Sequence, residues 1–248
     1  MAKGSTRGTD PDKPRDLRAS VALLWGEQDR PTRGPKPSLS PQRIAAAAVE
    51  LADAEGLDAV SMNKVAAGFG VSAMALYRYV PGKAELVELM VESVLAGGPR
   101  LSDTGGGWRV GVREWTRRCW EVYAAHPWLL AATAMRRQVM GPHQLQWLDA
   151  ALAALEPTGL TAAQRHQVFL LLVGLVRNLA QQLIDFDEER DREWNSLTGE
   201  LLGRHAERFP ALTKAIAEGA FEPTGTDPLA FGLDRILDGV EALVAAQN

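Results

Sequence analysis

The chain has 248 residues, more than one small domain needs and enough to bury a sizeable core, so a smaller and a larger folded unit are expected. Its 46% hydrophobic content, rich in alanine and leucine, favours helices, and its net charge of −4 does not exclude nucleic acid, because a local basic face is what meets a phosphate backbone. A single cysteine, Cys119, excludes an internal disulfide framework and fits a reducing cytosol, and the absence of any apolar run of about 18 residues argues against a signal peptide or a membrane span, so a cytoplasmic protein is expected.

Residues 1–16 are rich in Gly, Pro, Asp and Lys and read as a disordered start. Leu17–Trp25 is short and mixed, with Leu23, Leu24 and Trp25 able to anchor it as a helical turn. Arg30–Pro37 is held extended by its prolines. It is either a solvated linker or an arm whose Arg30, Arg33 and Lys36 follow a minor groove; no acid occurs among residues 30–43. Ser40-Pro41 is an N-cap followed by proline at the first helical position. The helix it starts has Ile44, Ala47, Ala48, Leu51 and Ala52 as its expected buried stripe and ends at Gly56.

Ser61 caps the next helix, in which Met62, Val65, Ala66 and Phe69 recur at i, i+3, i+4 and i+7, one apolar face. Gly68 and Gly70 bracket its end, where a left-handed residue costs glycine least. Ser72 stands where an N-cap is needed, and the second helix is expected to run from Ser72 to about Val80, stopped by Pro81-Gly82. Val71, Leu76 and Val80 are expected to face partner helices. Ser72, Ala73, Tyr77 and Arg78 are left outward: small residues that let a backbone approach, then side chains suited to phosphate and base-edge contacts. By spacing alone this is either an ordinary helical hairpin, with Tyr77 and Tyr79 as half-buried packing, or a helix-turn-helix. Ala84–Leu95 is the fourth helix, with Leu86, Val87, Met90, Val91 and Val94 on a broad apolar face, and the glycines at 97–98 and 105–107 form a connection.

Taken together, the long first helix, Glu55-Gly-Leu57, Ser61-Met62, Gly70-Val-Ser72, Ala75-Leu-Tyr-Arg-Tyr-Val80 and the following Gly82-Lys83 with Glu85-Leu86 closely resemble the DNA-binding domain of the TetR/AcrR family of bacterial repressors. The likeness covers Leu39–Leu95; the remainder resembles the family only in its helical layout. It implies a homodimer that binds palindromic double-stranded operator DNA and releases it when a small molecule binds. It also implies DNA-facing positions at Ser61, Ser72, Ala73, Met74, Tyr77, Arg78 and Tyr79, and a phosphate contact at Lys83. Met74 departs from the small or polar residue often found there and Ala73 has no hydrogen-bonding group, so DNA shape is expected to contribute alongside direct readout.

From Trp108 onward a second helical unit is expected. Trp108–Ala125, Trp128–Met140 and Gln144–Leu155 read as helices separated by His126-Pro127 and Gly141-Pro142. Five of the seven tryptophans fall between residues 108 and 147. They are either a core of bulky aromatics or, with polar anchors beside them, the lining of an apolar cavity. On the second reading Trp115, Arg118, Trp120, Trp128, Met135, Trp147, Phe169 and Arg177 contact a small-molecule effector. Thr161-Ala-Ala-Gln164 is a capping box opening a long helix to about Asp185. Asp187–Glu193 reads as a solvated charge run, Trp194–Leu202 as a resumed helix stopped by Phe209-Pro210, and Asp227-Pro228 as the start of a last helix, Leu229–Ala246. The helices Thr161–Asp185 and Leu229–Ala246 would form a four-helix bundle across a two-fold axis.

The expected fold is therefore all-α: an extension (1–38) with its basic arm, a helix-turn-helix domain (39–96), a linker (97–107) and a helical ligand-binding and dimerisation domain (108–248). No HExxH, CxxC, GxSxG or P-loop occurs, so no metal, cofactor or enzymatic activity is expected. The competing functions are a helical small-molecule-binding protein with a vestigial DNA domain and a helical enzyme; turnover of the bound ligand would mark the latter.

Overall fold

The computed structural model describes residues 17–27, 39–99, 106–134, 139–185, 188–221, 225 and 227–247, and every regular element among them is helical. The chain divides into two compact units, residues 1–98 with 131–146, and residues 99–130 with 147–248.

In the first unit, α1 (Leu17–Leu24) packs on α5 (Lys83–Val94) and buries Leu23 and Leu24. Trp25, expected to anchor beside them, is exposed because the helix ends at Leu24. Helix α2 (Pro41–Glu55) starts as the sequence dictates: Ser40 Oγ accepts the Arg43 N–H at 3.2 Å, with proline at the first position. Gly56 ends it at φ +82°, a conformation that costs a side-chain-bearing residue strain. Its buried stripe is rotated from expectation. Ala45 and Val49 join Ile44, Ala48 and Ala52 in the interior, whereas Ala47 and Leu51 are half-exposed, because α2 packs on both α5 and α3 and so needs a wider face. Helix α3 (Met62–Gly68) is capped by Ser61 Oγ, which accepts from Lys64 N–H at 3.2 Å, and buries Met62, Val65 and Ala66. Helix α4 (Ala73–Leu76) follows it and packs on it.

In the second unit, α6 (Gly107–Ala125) and α12 (Pro228–Ala245) both pack on α9 (Ala162–Asp185). The capping box at the start of α9 forms reciprocally: Thr161 N–H donates to Gln164 Oε1 at 2.9 Å, and Gln164 N–H to Thr161 Oγ1 at 3.3 Å. Asp227 caps α12 by accepting from Leu229 N–H at 2.9 Å. Leu172 and Val176 of α9 and Leu233 and Leu237 of α12 are buried, each worth about 1.5–3 kcal/mol. Gly232 lets the two helices close up; a Cβ there would sit 2.6 Å from Leu175 Cδ1. On the other side Arg109 of α6 pairs with Asp238 and Glu241 of α12, both at 2.6 Å.

Two expectations are corrected. Trp128–Met140 is not one continuous helix: among its described residues only α7 (Leu129–Ala132) is helical, and the chain then turns, with Ala134 N–H bonded to the Ala131 carbonyl. The charge run read as solvated falls at the start of α10 (Glu188–Arg204), where the described Glu189, Arg192 and Glu193 are exposed, and closely spaced opposite charges suit such a helix. Phe209-Pro210 does not stop the helices but starts another, α11 (Pro210–Ala217), because proline at the first position has no N–H to lose. Helix α8 (Pro142–Leu155) begins at its proline for the same reason.

Candidate functional site

The geometry between α3 and α4 follows from one glycine. Gly70 sits at φ +65°, its N–H donates to the Ala67 carbonyl at 3.0 Å, and the Val71 N–H reaches back to the Ala66 carbonyl at 3.1 Å. This pair of bonds is a Schellman closure, which ends α3 and turns the chain within a few residues. Ser72 is extended, as an N-cap residue should be, but its hydroxyl makes no capping bond. Helix α4 is shorter than expected, four residues rather than about nine; from Tyr77 the chain continues as turns, with Val80 N–H bonded to the Leu76 carbonyl at 2.9 Å.

Two side chains pin this segment. Leu76 and Val80 are both 0% exposed, while Val71, expected to share that role, lies at the surface. Most of the segment around the pins faces out. Met74 is 69% exposed and Tyr77 36%, Ser72 and Arg78 are exposed, and Ala73 and Tyr79 are half-buried. Lys83 is exposed at the first position of α5, and Ser61 is exposed with its hydroxyl spent on the α3 cap. Arg33 and Lys36, with Arg30, lie outside the described residues. What results is a pinned ridge of small, aromatic and cationic groups, which suits a groove in a polyanion.

The aromatic residues of the second unit are drawn together from distant helices. Trp115, 2% exposed on α6, meets Trp147 of α8 and Phe169 of α9 edge-on, with ring centroids 6.0 and 5.8 Å away, and its Nε1 donates to the Trp147 carbonyl at 2.8 Å. His166 stacks on Phe169 one turn earlier, with centroids 6.1 Å apart. Arg177 donates to Tyr123 Oη at 3.0 Å and to the Leu130 carbonyl at 3.1 Å, and its guanidinium lies over the Tyr123 ring. Burial pushes the Cys119 thiol up to about 12, against the opposing pull of nearby Arg177, so the thiol stays protonated and inert at neutral pH.

The other expected ligand residues have contacts of their own or lie outside the described residues. Trp128 is buried against His126, with centroids 5.9 Å apart, and Trp120 is half-buried. Arg118 Nε donates to Glu114 at 2.6 Å in a half-exposed ion pair. Met135 lies outside the described residues. Tyr123 was missed, although Trp115, Cys119 and Tyr123 recur at i, i+4 and i+8 on α6, a spacing that marks one face.

The two parts of the chain match two family models. Residues 44–90 match "Bacterial regulatory proteins, tetR family", and residues 101–244 match "Tetracyclin repressor-like, C-terminal domain". Among characterised relatives, the HTH-type transcriptional repressor DrrR1 of Streptomyces coeruleorubidus is 36% identical over 256 residues, spanning 99% of this chain and 93% of that protein. An HTH-type transcriptional regulator of Saccharopolyspora erythraea is 33% identical over 61% of this chain and 63% of its own length. Among solved structures, apo ActR of Streptomyces coelicolor superposes with a TM-score of 0.73 at 25% identity, covering 86% of this chain and all of that one. The complex of ActR with actinorhodin gives 0.73 at 26% identity over 84% of this chain and 97% of that one.

Proposed function

Because this chain belongs to the TetR family of bacterial transcriptional regulators, DNA-binding proteins rather than enzymes, we propose that it is a cytoplasmic repressor that holds a palindromic operator as a homodimer and lets go when a small molecule enters its second unit. The observation that carries this reading is the α4 ridge: Leu76 and Val80 are fully buried, and Met74, Tyr77 and Arg78 stand out from them. A recognition element has to be both rigid and bare, and this one is. Ser72, Ala73, Met74, Tyr77, Arg78 and Tyr79 meet the major groove, and Lys83 meets a phosphate as a point charge.

Dimerisation is supported by the outer face of α9 and α12. Val168, Leu171, Ile236, Val240 and Leu243 line an open apolar groove there, with Gly239 at its floor, and Leu171 and Leu243 are exposed. An apolar face of this extent is a characteristic partner surface, and a second copy laid across it completes a four-helix bundle. Two recognition elements in such a dimer reach half-sites about 34–36 Å apart.

The effector seat is the Trp115–Trp147–Phe169 cluster, with Arg177 and Tyr123 as polar neighbours. Edge-on aromatic contacts can be exchanged for contacts with a ligand that has an extended apolar face, and Arg177 supplies a donor to orient it. ActR binds actinorhodin, which makes that compound the first one to titrate here. Only a ligand with different affinities for the DNA-bound and free conformations releases DNA; a typical coupling is ~1–3 kcal/mol.

A mobility-shift titration with the DNA upstream of its own gene, repeated with Tyr77→Ala, tests the reading. The wild type is expected to shift a discrete fragment, and the variant to bind it more weakly while sedimenting as the same dimer. Wild-type affinity in Tyr77→Ala overturns the assignment of α4.

A further inference from the structure

Helix α5 carries three carboxylates on one stripe, Glu85, Glu88 and Glu92, and all three are buried. Removing a carboxylate from water costs several kcal/mol unless donors meet its oxygens. Glu85 accepts from Ser20 Oγ of α1 at 3.4 Å. Glu88 Oε1 accepts from Val139 N–H at 3.1 Å. Glu92 is the most heavily committed. Its Oε1 accepts the His143 N–H, its Oε2 accepts the Gln144 N–H at 3.3 Å, and the His143 Nδ1 lies 3.0 Å from the Glu92 main-chain carbonyl.

Those two N–H groups belong to the first turn of α8, whose opening residue, Pro142, has none to offer. The free donors that a neighbouring Ser or Asp usually satisfies are therefore met by a side chain about 50 positions earlier, on another helix. The bonds are charge-assisted, and a carboxylate at a helix N-terminus also gains from the macrodipole. Gly141 is part of the joint, because a Cβ there would run into the Glu92 carboxylate. From this first turn α8 runs on without a break to Trp147, one turn beyond His143, whose carbonyl holds the Trp115 indole.

We propose that Glu92 is a positioning residue for induction: its carboxylate ties the start of α8 to α5, so that a displacement at Trp147 is carried along α8 into the helix that follows the recognition ridge. A helix transmits such a shift as a stiff rod only if its end is held, and this end is held by Glu92. The inference rests on the reading of the protein as a DNA-binding regulator. Coupling is reciprocal, so operator bound at α4 must be felt at α8, and no effector is needed to see it.

The test is amide hydrogen exchange of the full-length protein with and without a duplex that the protein itself selects from a random library. In the wild type the duplex is expected to slow exchange at residues 72–80 and along α5, and also at His143, Gln144 and Trp147 by about fivefold or more, the low end of typical coupling. In Glu92→Gln, which keeps the shape but sets an amide against a backbone N–H, the slowing is expected to remain at 72–80 and to vanish at α8. Gly141→Ala removes no group, displaces the carboxylate and should behave alike. A merely structural role raises α8 exchange equally with and without DNA and preserves the DNA-dependent ratio. That ratio unchanged in both variants overturns the proposal, as does a wild type whose α8 amides ignore the duplex. Selection of no duplex at all removes the DNA-binding reading instead, and this inference with it.

Discussion

The α4 ridge and the Trp115 cluster solve opposite problems with the same kind of residue. Tyr77 is held out by two apolar pins one turn apart, so its position is set within ten residues of chain and by a single glycine turn. Trp115 is held in by Trp147 and Phe169, which come from two other helices 32 and 54 positions away. A rigid duplex has to be met on the outside by something already in place. A small effector has to be enclosed, and enclosure takes walls from several helices. Local substitutions on the ridge should therefore change DNA binding without changing stability, and substitutions in the cluster should change stability first and effector binding with it.

The largest effect expected from this contrast is Trp115→Ala. It opens a cavity at a fully enclosed site and removes the indole donor from the Trp147 carbonyl, which keeps its bond within α8, at a cost of about 3–5 kcal/mol. Chemical denaturation followed by the remaining tryptophans should show the second unit unfolding at lower denaturant. An unchanged midpoint would mean that the ring contacts contribute nothing. Next comes Gly232→Ala, in which the new Cβ meets the end of the half-buried Leu175 side chain and makes it shift, with a cost at the low end of about 1–3 kcal/mol in the same measurement. A neutral result would show that the α9–α12 contact is slack enough to absorb a methyl group.

On the ridge, Tyr77→Ala and Arg78→Ala should each weaken operator binding by about 1–3 kcal/mol if they contact bases, and leave the melting temperature alone. Equal losses on operator and random DNA would reassign either residue from base to phosphate contact. Ser61→Ala is smaller: it removes the cap on α3 and should cost about 1 kcal/mol of stability, with a secondary loss of affinity because α3 braces the ridge.

How far each region was legible in the sequence follows the same contrast. The caps at Ser40, Ser61, Thr161 and Asp227 and the turn glycine Gly70 were readable because each acts on neighbours a few residues away. The length of α4 was not, since nothing in Ala73–Val80 breaks a helix. Tyr123 and Arg177 illustrate the harder case. Their pairing joins positions 54 residues apart, and no local rule relates them. Arg118 shows why type and proximity in sequence mislead: it adjoins the tryptophans along the chain, but Glu114 one turn back is a nearer partner than any distant ring.

Glu114 supplies the finest test of that last distinction. Hydrogen bonds from Arg117 first and Arg118 second hold its carboxyl at about 2, below its ordinary 4.5. The folded chain thus takes up this proton less readily than the unfolded one. The stabilisation is complete above pH 4.5 and is lost as pH falls from 4.5 toward about 2. Both arginines are largely solvated, so screening leaves well under about 1 kcal/mol. Glu114→Gln should flatten the acid limb of stability slightly and lower stability at pH 7 by that same small amount. Because the substitution also releases Arg118, it asks whether that guanidinium belongs to the surface or to the effector seat. If it belongs to the surface, effector affinity stays as it was; a tighter complex would bring Arg118 back among the residues that grip the ligand.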